Sequence, residues 1–564
     1  MAFQLSPGVL VTEKDLTLLV PSVSTTAGGF AGAFQWGPVD EVVTVDSEAN
    51  LVERFGKPND TTYKSFFTAA NFLSYGNNLQ LVRVVDESIA KNAKSNAAAT
   101  AILIKNEDHY TSNYSDGSAS VGSWAAKYAG NLGNSLKVSL ADANTWTNWE
   151  YRGNFDDRPS TSTYATSVGG VNDELHVIVI DEDGLWTGTK GAVLEKFSFA
   201  SKATDAKLPD GTSNYYKNVV NSKSKYVWWM DHPEGNIVGS SNWGSEAAGV
   251  TFANTTNTNN VTFSLNGGVS GDNPTTGNLQ TGFAIFANDE LYDISLIPVG
   301  DANFSVATYV ISSVAEIRKD CVVFVSPDLE HVVNNSGSEV TDIVAHRDGL
   351  PSSSYAVMDS GWKYQYDRYN DVYRYVPLNG DTAGLAVRTD FVADPWFSPA
   401  GFNRGQIKNV IKLPFSPRKV ERDALYKKGI NPVVTFPGNG TILYGDKTLL
   451  AKPSAFDRIN VRRLFIVLEK SIATAAKFQL FEFNDAFTRA QFRNLVEPFL
   501  REVQGRRGIT DFKVVCDETN NTPEVIDRNE FVADIYIKPA RSINFIQLNF
   551  VATRTGISFE EVGA

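Results

Sequence analysis

The sequence predicts a mixed α/β, α+β multidomain fold. An inner α/β core is formed by the N- and C-terminal parts of the chain, and β-rich domains are inserted on the outside. Three observations predict this. Residues 280–400 alternate apolar strand candidates with a helical pattern, the signature of parallel pairing. Residues 24–87 show the same mixture on a smaller scale. Residues 100–300 change character and become rich in Asn, Ser, Thr and Gly around short alternating runs. At roughly 100–200 residues per domain, 564 residues suggest about three to five domains. A chain that is 42% hydrophobic can fill that many cores.

Residues 1–23 read as an extended arm. Ser6-Pro7-Gly8 is a turn signal, Val9, Val11, Leu16 and Leu18 alternate with polar residues, and Pro21 ends the run. No partner strand is near in sequence, so the arm must pair at long range or with another molecule. Residues 24–100 are expected to join 300–400 in a middle α/β domain. In TTAGGFAGAFQWGPVDEVVTV a Gly-Pro turn separates two strands. SEANLVERFG reads as a helix capped by Ser47 and ended by Gly56. Phe66, Ala69, Ala70 and Leu73 share a helical face, and LQLVRVV is a buried strand.

Residues 101–299 are expected to form one or two outer β-rich insertion domains, with strands in LKVSL and LHVIVID. ISLIPVG, FSVATYVISSVAEIRK and CVVFVSPD then give strand, helix and strand.

Residues 401–540 form the expected C-terminal inner domain. Val461, Leu464, Phe465, Leu468 and Ile472 share one helical face. Phe492, Leu495, Val496, Phe499, Leu500 and Val503 make a second stripe. Asn484 or Asp485 could cap that helix and Gly505 or Gly508 could stop it, while Pro498 is expected to kink or divide it. Strand candidates follow at 511–516 and 531–538, where Phe531, Ala533, Ile535 and Ile537 alternate. Residues 541–564 read as a C-terminal strand or arm, with a strand candidate at 543–552.

Composition excludes several classes. The formal net charge of −13 argues against general nucleic-acid binding, which needs a basic footprint. No run approaches the roughly 20 apolar residues of a membrane span. The opening MAFQLSPGVLVTEKD lacks a signal-peptide pattern, so a protein made and kept in a cytoplasm is expected. Cys321 and Cys516 lie in apolar runs and read as two buried reduced thiols. Charge is nonetheless uneven. Residues 461–508 hold nine Lys or Arg against five acids, either a solvated helix face or a contact for an acidic partner.

Catalytic motifs are scarce. His109, His176, His232, His331 and His346 form no local metal motif, and each reads as an ordinary surface or loop residue. There is no Walker or GxSxG motif, and AGGFAG and NGGVSG lack the strand-to-helix setting of a phosphate loop. DEDG at 181–184 reads as a hairpin turn rather than a calcium loop. The aromatic run 361–376 carries Lys363, Arg368 and Arg374, but Asp367 and Asp371 favour a packed strand pair or subunit contact over nucleic-acid stacking. No cofactor is expected.

Four stretches carry a family resemblance. They are SPGVLVTEKD with the following VPSVSTTAGGFAGAFQWGPVDEVVTV and FGKP, then KYAGNLGNSLKVSL, then FSLNGGVSGDNPTTG. The fourth is the C-terminal block that runs GNGTILYGDKTLL, NVRRLFIVLEKSIATAAKFQLFEFND, REVQGRRG, DFKVVCDETNN, FVADIYIKP and INFIQLNFVATRTGISFEEV. In this order they resemble the tail sheath proteins of contractile (myovirus) phages.

The resemblance implies a non-enzymatic virion protein, assembled in the host cytoplasm as a helical homo-oligomer around a tail tube. Contraction, by nearly rigid-body movement of subunits, would drive the tube through the host envelope. It also implies baseplate and tail terminator partners, no nucleic acid and no direct membrane insertion. Val9, Val11, Leu16 and Leu18 of the arm, with Ile546, Leu548 and Phe550, would link neighbouring subunits by strand addition. Arg489, Arg493, Arg501, Arg506 and Arg507 would face the tube. Two other readings remain open at this point: the sheath of a non-phage contractile injection system, and a phage adhesin or carbohydrate-binding β-protein.

Overall fold

A computed structural model describes residues 23–98, 100–233, 242–256, 261–544 and 546–548. Val9, Val11, Leu16, Leu18 and Phe550 lie outside the described residues. The chain divides into two compact units. The larger holds residues 24–392 and 399–457, and the smaller holds 393–398 and the chain from 458 onward, together with the residues up to 23.

The larger unit begins with β1 (Gly28–Gly32), β2 (Val42–Val45) and β3 (Leu79–Arg83). β3 runs parallel to β1 and antiparallel to β2. Between β2 and β3 lies the helix Glu48–Phe55. Its cap is the expected one, with Ser47 Oγ accepting from the Asn50 amide at 3.3 Å, and Gly56 ends it at φ +80°. The helix Tyr63–Leu73 follows and is buried along most of its length. The glycines of AGGFAG serve packing: a Cβ on Gly28 would sit 2.6 Å from the Phe72 ring. Arg83, at the end of β3, is fully buried and donates to the carbonyls of Phe34, Gly37 and Ala129 at 2.8–2.9 Å. Burial pushes its guanidinium down to about 9.

The insertion supplies β4 (Trp124–Ala126), β5 (Leu136–Asp142), β6 (Glu174–Asp181), β7 (Ala192–Ser201), β8 (Val227–Trp229) and β9 (Thr262–Ser264). Four of them form an antiparallel sheet in the order β7-β6-β5-β9, and β4 pairs with β8. Both faces of β6 are covered. Leu175, Val177 and Val179 enter one core, and Ile178 and Ile180 pack on Trp149 and Phe155 in another. Two buried cores explain why LHVIVID reads as a continuous apolar run. DEDG is the β6–β7 turn, as expected. Asp181 accepts from the amides of Gly184, Trp186 and Thr187 and from two hydroxyls, which organises the loop.

β10 (Leu296–Pro298), β11 (Val322–Val325), β12 (Ala356–Asp359) and β15 (Ile430–Asn431) complete a seven-stranded sheet in the order β15-β12-β11-β10-β1-β3-β2. β10 and β11 pair in parallel across the helical run Phe304–Arg318, whose middle, Val310–Ala315, is a π turn. The aromatic run folds into the hairpin β13 (Trp362–Asp367) and β14 (Val372–Pro377). β16 (Val433–Phe436) and β17 (Gly440–Leu443) form a second hairpin. The expected 401–540 span therefore divides: residues 399–457 pack within the larger unit, and residues 458 onward belong to the smaller.

Two histidines correct the surface-or-loop expectation. His176 sits in β6, stacked on Phe155 at 4.3 Å, with Nδ1 accepting from the Phe199 amide and Nε2 donating to the Asp157 carbonyl. Burial lowers its basicity. His346 is buried on the helix Glu339–Gly349. Their sheet and helix faces turn inward, which single-residue reading could not tell. Cys321 and Cys516 are both buried thiols.

Asp359, at the end of β12, is enclosed and accepts from the Gly361 amide and Ser326 Oγ at 2.8–2.9 Å. Burial first, then the field of Asp381, pushes its carboxyl up to about 8. An unfolded Asp ionises near about 3.9. Between those values the folded state holds a proton that the unfolded state has lost. This group's contribution is complete at low pH and declines as pH rises toward about 8, by about 1.4 kcal/mol per unit. Asp359→Asn should remove that slope. Urea unfolding of both proteins at about pH 5 and about pH 8 reads the difference.

The smaller unit contains the helices Ile459–Ala476 and Ala486–Gly505, and an antiparallel ribbon of β18 (Ile509–Val515) and β19 (Asp534–Pro539). Leu464, Leu468, Phe492, Val496, Leu500 and Val503 build its core. Phe531, Ala533, Ile535 and Ile537 pack on that core on alternate positions, as predicted. Asp485 caps the second helix through the Thr488 amide at 2.8 Å. Pro498 neither divides nor ends the helix, which runs unbroken to Gly505. Pro498 and Asn494 are both exposed, so the carbonyl that loses its amide partner faces water. Arg507, at φ +67°, then turns the chain, and the Gly508 amide closes on the Val503 carbonyl.

Candidate assembly surface

The distinctive features of the smaller unit are its strand edges and its exposed apolar side chains. Among the described residues the β18–β19 ribbon has no third strand, so neither outer edge is bonded to another strand, although Gln504 and Asn520 donate to the Thr510 and Val515 carbonyls. The inner face, with Phe512, Val514, Ile535 and Ile537, rests on the helices. The outer face carries Lys513, Tyr536 and Lys538, the last paired with Asp511 at 3.0 Å. One face is therefore anchored while the edges stay available. Residues 541–544 and 546–548 carry no strand, in contrast to the strand candidate at 543–552. Ile546 and Leu548 are 77% and 71% exposed.

The connection between the two helices was not singled out by its sequence. It exposes Phe478, Leu480, Phe481 and Phe483, and the first turn of the second helix exposes Phe487, all between 62% and 104%. Clustered exposure of this kind marks an interaction surface. The available signal was four phenylalanines between 478 and 487 that fall outside both helical stripes.

The five arginines separate into two groups. Arg489 is buried, and its guanidinium donates to the Asn484 carbonyl and side chain, so it braces the helix start and presents no surface charge. Arg493 is half-buried. Arg501, Arg506 and Arg507 are exposed. Arg501 pairs with Glu497 at 3.3 Å, and Arg506 pairs with Asp394 and with Glu502. Arg507 has no ion pair among the described residues. The surface that survives is thus at the C-terminal end of the helix.

Three sheath family models match the chain. The phage tail sheath C-terminal domain covers 451–553, the phage tail sheath protein central domain covers 272–449, and the Gp18 domain III N-terminal region covers 25–84. The tail sheath protein of Vibrio phage KVP40 is 38% identical, with 99% of each chain covered. The tail sheath protein of Enterobacteria phage T4 is 35% identical, also with 99% of each covered. The chain belongs to the tail sheath protein family. A crystal structure of a sheath tail protein from Listeria innocua shares the fold at TM-score 0.55 and 12% identity, covering 92% of each chain.

The sheath protein is a structural component of a contractile phage tail, built by helical self-assembly. Its mixed α/β architecture is the one the sequence predicts. Residues 85–271, which include the whole β7-β6-β5-β9 sheet, fall outside the matched family spans. Among the described residues no helix is long and apolar enough to cross a membrane.

Proposed function

We propose that this sheath subunit wraps a tail tube and joins its neighbours by strand addition to the β18–β19 ribbon. The observation that carries the reading is the ribbon itself, anchored on one face and open at both edges. The N-terminal arm and the C-terminal residues around Ile546 and Leu548 supply the added strands. Backbone hydrogen bonds then link subunits into a continuous mesh, with the arms as hinges. The exposed phenylalanines of the smaller unit bury against adjacent copies.

Contraction is a mechanical transition of packed, nearly rigid subunits between two arrangements, with no catalytic step and no cofactor. The baseplate triggers it and a terminator closes the far end. Subunits are made in the host cytoplasm and act in the virion. The domain plan fits: a middle α/β domain, outer insertions and an inner C-terminal domain facing the tube.

Arg493, Arg501, Arg506 and Arg507 give that inner domain a basic face for an acidic tube. Such contacts are screened by salt and release readily. Reversing Arg501, Arg506 and Arg507 to Glu tests this contact. Exposed ion pairs contribute about 0–1 kcal/mol each, so the variant should stay folded. Co-sedimentation with tube protein should fall and lose its salt dependence. Retention equal to the unmodified chain would remove the tube contact from this face.

A further inference from the structure

Asp328 lies beyond the carboxyl end of β11, and the short turn Leu329–His331 follows it directly. The helix Glu339–Gly349 brings His346 back to the same place. A carboxylate oxygen of Asp328 and one ring nitrogen each of His331 and His346 all lie within 4.8 Å of one another. The two imidazole centroids are 5.4 Å apart.

The groups satisfy each other only in part: His346 holds the Asp328 carboxyl below its ordinary range. His346 Nδ1 is 3.6 Å from Asp328 Oδ2, beyond normal hydrogen-bond length. His346 Nε2 and His331 Nδ1 are both buried and have no hydrogen-bond partner. The His346 side chain is only 2% exposed, and Phe304 meets its ring edge-on. Asn335 donates to the His331 carbonyl and to Asp342, which ties the turn to the helix. His346 turns Nδ1 toward the Asp328 carboxylate, and each imidazole keeps one buried nitrogen without a partner, so the two rings and the carboxylate form an incomplete donor set.

We propose that Asp328, His331 and His346 bind a divalent transition-metal ion, best matched by Zn2+. Two imidazoles and one carboxylate are a borderline donor set that suits zinc, with water in the fourth position. With metal–ligand bonds of about 2.0–2.2 Å, tetrahedral ligand atoms sit roughly 3.4 Å apart. From separations of up to 4.8 Å the groups therefore close by at most about 1.4 Å, which the half-buried His331 in its short turn can supply. Asp328 also lines an open cavity of about 450 Å³, bounded by Lys64, Asp301 and Trp362, which gives the ion an entry path. The bound metal would pin the segment after β11 to the returning helix. This site is independent of the assembly contacts and does not rest on them.

The test is calorimetric titration of the tag-free, full-length chain with zinc chloride. His331→Gln and Asp328→Asn are measured beside it, both at partly exposed positions that spare the buried His346. One zinc per chain is expected, with affinity reduced at least about 10-fold in each variant and unchanged circular dichroism. Co2+ in place of zinc should give the visible absorption of a tetrahedral site, lost in both variants. Absence of one-equivalent binding, or uptake unchanged in either variant, would overturn the assignment and leave an Asp328–His346 ion pair.

Discussion

Sheath subunits that lack residues 1–20 are expected to fold normally and to remain monomeric where the full chain polymerises. The described core residues of both units all lie beyond the truncation, and Val23, which packs on the smaller core, is retained. On the proposed function, what the truncation removes is a donated strand. An added strand of about five residues contributes on the order of four backbone hydrogen bonds, each worth about 0.5–1.5 kcal/mol net. Repeated at every subunit, that loss abolishes a lattice rather than weakening it. Circular dichroism should be unchanged while sedimentation shows a single small species. Tubes formed by the truncated chain would sink strand donation by the arm.

Lys363→Ala is expected to destabilise the larger unit by about 3–5 kcal/mol. Lys363 Nζ lies 2.8 Å from Asp381 Oδ2 and also donates to the Lys408 carbonyl, and neither side chain of the pair is exposed. Tyr75 donates to the same carboxylate at 3.1 Å. Burial pushes the Lys363 ammonium down and the Asp381 carboxyl up, while the charge of each favours the ionised form of the other. Removing the lysine strands the carboxylate in an apolar interior, whereas replacing both by apolar residues costs far less. The loss should shrink at low pH, where Asp381 takes a proton. Urea midpoints of Lys363→Ala and of the double variant Lys363→Met, Asp381→Leu decide it. Equal losses in the two would show that packing, not charge, governs the site.

Features with a local period were legible in the sequence. Ser47, Gly56 and Asp485 cap where their neighbours say they must, and Phe531 to Ile537 alternate onto one face. The strand–helix–strand unit around Phe304 pairs in parallel as its pattern demands.

Features that depend on the third dimension were not legible. Arg489 counts as a surface charge until Asn484 is seen beside it. Pro498 is a helix breaker on paper, but it lies on the side where water can replace the missing amide. His331 and His346 are too far apart for a local motif and meet only because a helix doubles back on β11. The exposed phenylalanines were not singled out, although their place outside both helical stripes was the signal available.

Negative-stain electron microscopy of the purified full-length chain, across concentration and salt, tests the central claim most directly. Self-assembly through open ribbon edges predicts hollow tubes or stacked rings with regular striation. A monodisperse monomer or trimer under every condition would contradict it.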